Sequence, residues 1–171
     1  MFIIVIYVVD TSSLIAFNEF YQKQMTPKIW QCFENLIANG KVIIPKDVEL
    51  ELVKDSEVKE LVKKHPKIVQ DTVEMADELT KVMRDFPYIP PRNRTKETYA
   101  DPVVIALALS IIKQGSLVER KVFVVSQETS RKSYSIPSMC KHYDIPLISI
   151  QDLIRQNCEE STKSKSSTEV Q

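Results

Sequence analysis

An excess of charge of either sign is absent from this sequence: lysine plus arginine number 23, and aspartate plus glutamate also number 23. The basic surplus that by itself points to nucleic acid is missing, so any phosphate contact must come from local patches. Cysteine is scarce. Cys32, Cys140 and Cys158 are odd in number, widely separated and without metal-ligand spacing, which argues against a zinc site or a disulfide framework. All three read as small hydrophobes in a reducing, cytoplasmic compartment. No long apolar run is present either. Residues 1–9, "MFIIVIYVV", have no basic leader and are stopped by Asp10 far short of the roughly 20 residues that a membrane helix needs, so no membrane association is expected. The two histidines, His65 and His142, read as solvated or hydrogen-bonded surface residues and are assigned no chemistry.

What is present describes one ordinary globular domain. The 171 residues are 43% hydrophobic and 27% charged, enough for a sizeable core. A single domain is expected over residues 1–158. The remainder, "EESTKSKSSTEVQ" at 159–171, has nothing apolar to bury and reads as a disordered tail.

Residues 1–9 are rich in Ile and Val without polar alternation, the signature of a central parallel strand covered on both faces. Ser12 or Ser13 can cap a helix beginning near Leu14, and "TPKIWQCFENLIANG" offers Thr26 as cap, Pro27 at the first helical position and Gly40 as stop. "KVIIP" (41–45) is a second strand, followed by one helical stretch over 46–65 that Pro66 breaks. Residues 68–86 read as another helix, and the proline-rich 87–100 as an extended loop. "ADPVVIALALSIIKQG" (100–115) is a buried helix capped by Asp101, and "KVFVVS" (121–126) a third strand. A short helix over 136–143, a strand at 145–150 and a helix from 151 to about 157 complete the chain. Alternating strands and helices imply an α/β fold with a parallel sheet, whose sites form beyond the carboxyl ends of its strands.

Asp10 stands at such an end, and other acids converge on the same edge. Glu51 lies near the start of the helix after the second strand, Asp101 opens the helix before the third, and Glu128 follows that strand. Carboxylates gathered closely repel unless cations neutralise them, so Asp10, Glu51, Asp101 and Glu128 read as a site for Mg²⁺ or Mn²⁺ and for metal-assisted phosphodiester hydrolysis. Each acid also has a plain alternative, Asp101 as a helix cap and Glu51 as an exposed helix residue.

"YVVDTSSLI", "IIPKDVELELV", "ADPVVIALAL" and "VFVVSQETS" together resemble the ordered motifs of PIN domains. The likeness is greatest to a prokaryotic PIN-like subgroup and covers residues 7–155. It implies a three-layer α/β/α sandwich with a central parallel sheet and a metal-dependent endoribonuclease, often the toxin of a pair with an antitoxin protein as partner, and often a homodimer. Asp10, Glu51 and Asp101 correspond to the first three acids of the family. Ser126, Gln127 and Glu128 fill the window of the fourth, where the family usually has aspartate. Glu49, two residues from Glu51, is the weaker alternative. Ser12, with its neighbours Thr11 and Ser13, and Ser126 are supporting hydroxyls. Arg92, Arg94 and Lys96 before Asp101, and Arg131 and Lys132 after Glu128, are the expected contacts to RNA phosphates.

Two other enzyme or signalling classes fit less well. A haloacid-dehalogenase-like phosphatase wants an aspartate where Ser12 stands, and a phospho-acceptor receiver wants acids and a lysine that are not in place. A PIN-like binding module that no longer cleaves is the stronger competitor, with Glu128 as its best argument.

Overall fold

The computed structural model describes residues 2–54, 56–87, 100–115, 118–129 and 132–159. Its central strand β1 (Ile4–Val9) is buried from Ile6 onward, as an unbroken run of Ile, Val and Tyr requires. On one side β1 pairs with β2 (Val42–Pro45), Tyr7 opposite Val42, and β2 pairs with β3 (Val69–Gln70). On the other side β1 runs beside β4 (Arg120–Val125) for six residue pairs, and β4 meets β5 (Leu147–Ile148). All four pairings are parallel, and the order is β3-β2-β1-β4-β5. The chain therefore winds outward from β1 in one direction and restarts on its other flank, placing the switch point between β1 and β4.

Helices cover the sheet. α6 (Ala100–Lys113) packs across β1, β2 and β4, with α5 (Ala76–Asp85) and α7 (Ile136–His142) against it. α1 (Thr11–Phe20) packs on α3 (Lys46–Glu51), α4 (Glu57–Lys64) and α8 (Ile150–Ile154), while α2 (Pro27–Ala38) lies on β2. The expected α/β fold with an all-parallel central sheet is thus present, in an arrangement consistent with three layers. Phe17 gathers the rings of Phe33, Trp30 and Tyr21 around it, with centroids 4.3, 4.9 and 5.4 Å away. Gly40 ends α2 at φ +69°, a left-handed conformation in which a Cβ would be strained. No helix among the described residues is long and apolar enough to cross a membrane.

Four local expectations are corrected. α1 begins at Thr11, not near Leu14, because Asp10 itself is the N-cap and accepts from the Ser13 N–H. The stretch read as one helix over 46–65 is two, since Leu52 is extended and Ser56 caps a new helix by accepting from the Lys59 N–H. The segment read as a helix from residue 68 instead opens with the edge strand β3 and a 3₁₀ turn (Thr72–Met75) before α5. Val69 and Gln70 are too few to display strand alternation and are recruited by pairing with Ile44 and Pro45. Asp101 lies within the first turn of α6, which starts one residue earlier. The loop at 88–99 and the tail from residue 160 lie outside the described residues, as do Arg92, Arg94, Lys96 and Arg131.

The reading of all three cysteines as unpaired hydrophobes is also corrected. Cys32 of α2 and Cys158 of the closing π-turn (Arg155–Glu159) form a disulfide across 126 residues of sequence. Asn157 brings that turn down, donating from Nδ2 to the Tyr7 hydroxyl at 3.0 Å and to the Leu153 carbonyl at 2.9 Å. Only Cys140 is free, and it is buried. Denatured without reductant, the protein should show a single reactive thiol by mass-shift labelling, and Cys32→Ser should lower unfolding free energy by about 2–4 kcal/mol. Three reactive thiols in the unreduced protein would refute the pairing.

Candidate functional site

β1 and β4 end side by side, and the residues that follow them are tied together. The Asp10 N–H donates to the Val125 carbonyl at 3.0 Å, and the Ser126 N–H to the Ile148 carbonyl at 3.1 Å, extending the sheet by one rung at its carboxyl edge. Asp10 is 4% exposed. Its Oδ1 accepts from the Ser13 N–H at 2.8 Å, its Oδ2 from the Ser126 hydroxyl at 2.5 Å, and the Ser12 hydroxyl lies 2.9 and 2.8 Å from the two oxygens. Burial nonetheless pushes its carboxyl above the ordinary 3.8, the donors from Ser126, Ser13 and Ser12 working against that rise. Ser12 and Ser126 thus both occupy their expected supporting places.

Glu51 ends α3, and its Oε2 accepts from the Thr11 hydroxyl at 2.5 Å. Because Thr11 adjoins Asp10, this bond brings the second acid to the first. Asp101, in the first turn of α6, is pushed up to about 8, chiefly by burial and then by the charges of Glu128, Asp10 and Glu51. Asp101 is therefore within electrostatic reach of the other three acids expected from sequence. Glu128 is raised by burial and by Asp10, while the Ile136 N–H and the Lys132 charge pull it back. Its Oε2 accepts from that N–H, the first of α7, at 3.1 Å. Glu49 points elsewhere, paired with Lys46. Among the described residues, no three carboxylate, imidazole or thiol groups stand close enough to ligate one ion as they are.

The remaining expectations divide. Lys132 is exposed and close enough to Glu128 to lower it, and its Nζ lies 5.8 Å from the Tyr134 ring centre. His65 bonds Glu34 at 3.0 Å, and His142 lies 3.8 Å from Asp85. Cys140, behind the site, is pushed up to about 12 by burial and by the Asp10 charge, and so stays a thiol. Two residues named from sequence have partners that the sequence did not indicate. Thr11 serves Glu51 instead of Asp10, and Gln127 joins the site to α8; neither has a spacing that marks it, because both bonds depend on tertiary placement.

A parallel α/β protein with a buried acidic site at its switch point is the class these features define. The chain belongs to the family described as a domain of unknown function, DUF4411, which matches residues 7–160 and so includes all four acids. No curated protein and no solved structure matches the chain.

A carboxyl held protonated in the folded state binds a proton that the unfolded chain has released above pH 4. Asp101, shifted from 3.8 to about 8, therefore stabilises the metal-free fold fully below pH 4 and loses that contribution as pH rises through about 8. Asp10 and Glu128, also raised, act in the same direction. In chelator, thermal stability should fall between pH 5 and pH 8.5, and Asp101→Asn should flatten the slope and stabilise the protein by about 2–4 kcal/mol at the upper end. A pH-independent midpoint in the wild type would contradict the clustering of these acids.

Proposed function

We propose that the chain is a divalent-metal-dependent phosphodiesterase acting on RNA. One observation carries this reading: Asp10, Glu51 and Glu128, from separate elements, all act on the buried Asp101 carboxyl at the switch-point edge, and Thr11 ties Glu51 to the residue beside Asp10. Their donors are all hard oxygens, which fit Mg²⁺ or Mn²⁺ better than a softer ion. Like charges buried together are unfavourable, and a dication reverses the sign of that interaction. Asp10 and Asp101 are the residues that would hold the ion, with Glu51 and Glu128 reaching it directly or through water. When bound, such an ion activates a water and stabilises charge on the phosphoryl oxygens.

The protein's own groups prepare this chemistry. Ser12, Ser126 and the Ser13 N–H fix the Asp10 carboxylate in one orientation, and Thr11 does the same for Glu51. The Ser13 N–H and the Ser12 and Ser126 hydroxyls donate three protons to a carboxylate with about four lone-pair sites, which leaves one for an ion. Lys132 brings positive charge beside Glu128, where a phosphate could be met. RNA as substrate, and cleavage rather than binding alone, rest on the resemblance to PIN domains.

A second reading has its own observation. Glu128 Oε2 is engaged by the Ile136 N–H, so the fourth acid already has a structural task. A module of this fold that binds RNA or protein without cleaving would use Glu128 in that way alone.

Purified protein incubated with structured and unstructured RNAs should cleave with Mg²⁺ or Mn²⁺ and not with chelator. Asp10→Asn and Asp101→Asn should each lower the rate by about 100-fold or more. Calorimetry should show Mn²⁺ uptake that the same substitutions abolish. Cleavage persisting in Asp10→Asn would assign the activity to another site, and a wild type that takes up no Mn²⁺ would favour the binding module.

A further inference from the structure

Gln127 is placed between the acidic edge and α8, and its backbone N–H and both ends of its side-chain amide are committed. Its backbone N–H donates to the Ser12 hydroxyl at 3.1 Å, and Ser12 in turn donates to Asp10. Its side-chain Oε1 accepts from the Ile150 N–H at 2.9 Å, and its Nε2 donates to Gln151 Oε1 at 2.9 Å. The orientation of the amide is forced. The Ile150 N–H can only donate, so the carbonyl oxygen must face it and the amino group must face Gln151. That N–H is the first of α8 and has no partner within its own helix, so Gln127 caps α8 from outside. A glutamine fastened at both ends of its amide cannot rotate freely, and its backbone is held with it.

The consequence concerns Ser12. A hydroxyl has one proton and can give it to Asp10, or turn it toward a carbonyl or water. By taking one of the hydroxyl's two lone pairs, the Gln127 N–H fixes the oxygen with its proton directed at the Asp10 carboxylate 2.8 Å away. Ser126 holds the same carboxylate from the neighbouring residue, so the exit of β4 grips Asp10 through two hydroxyls.

We propose that Gln127 is a positioning residue, anchored by α8 through Ile150 and Gln151, which sets the Ser12 hydroxyl and through it the orientation of Asp10 for metal binding. The assignment rests on the reading of the acids as a metal site. It makes α8, which carries no acid of that site, part of the machinery. Partners that orient a metal ligand typically alter affinity by about 10- to 100-fold when removed, and a partner one bond further out belongs at the lower end of that range.

Mn²⁺ titration by calorimetry of four proteins tests this. Gln127→Met keeps length and removes both amide bonds, and its Mn²⁺ dissociation constant should rise about tenfold. Gln151→Met removes only the Nε2 partner and should give a smaller rise of about two- to threefold. Asn157→Leu breaks the Tyr7 contact at the far end of the same segment; it should lower the thermal midpoint while leaving Mn²⁺ affinity at the wild-type value. Gln127→Met binding Mn²⁺ within twofold of wild type would overturn the positioning role, as would an equal loss in Asn157→Leu, which would trace the effect to general stability. A wild type that binds no Mn²⁺ overturns the metal reading and this inference together, so the two failures are separable.

Discussion

Asp10 leaves the central strand with 4% of its surface exposed, and a carboxylate there must be satisfied locally or remain protonated. Satisfying it organises the neighbourhood. The Ser13 N–H requires that the chain turn at once into α1, and the Ser126 hydroxyl requires that β4 end beside β1. Two residues 116 positions apart are joined at the one place where the sheet changes winding direction. Six paired residues of β1 and β4 supply the rigidity behind that junction. The edge is therefore defined by hydrophobic strands up to Val9 and Val125, and by polar bonds in the residue after each.

A capping role and a ligand role for Asp10 are not exclusive. The cap uses Oδ1 toward a backbone N–H, an interaction that favours the ionised form and fixes the carboxyl plane. Burial acts the other way on Asp10, and repulsion among the acids is visible at Asp101, where Glu128, Asp10 and Glu51 add to burial and no donor stands among the causes. Helix formation accounts for why one acid stands at the end of β1. It does not account for three more arriving from α3, α6 and the turn after β4, where a non-polar or amide side chain would be electrostatically easier.

Much of this was legible from residue order. The unbroken apolar runs gave β1, β2 and β4, Pro27 and Gly40 bracketed α2, and the acids after two of the strands pointed to the edge where they are found. The features that escaped were short or tertiary. β3 has two residues and borrows its conformation from β2, so no periodicity could reveal it. Ser56 was a helix start hidden inside a continuous amphipathic pattern. Cys32 and Cys158 carry no pairing signal because they meet only when the last turn folds back onto α2, with Asn157 reaching Tyr7. The start of α1 was placed too late because the three hydroxyl residues after Asp10 offered the same capping chemistry.

The three residues after β4 illustrate how a short connection can serve several elements. Ser126 donates to Asp10, Gln127 accepts from the first N–H of α8, and Glu128 accepts from the first N–H of α7. Each first-turn N–H would otherwise face burial without an acceptor, at a cost of about 1–3 kcal/mol apiece. The same tripeptide therefore sets the position of two helices and the direction of one carboxylate. A shift of α7 or α8 would be felt at Asp10 through two hydrogen bonds joined by the β4 exit, whereas a shift of α5 would be passed on through its packing against α6. Sensitivity of the acidic edge to its surroundings is consequently directional, greatest along the β4 exit.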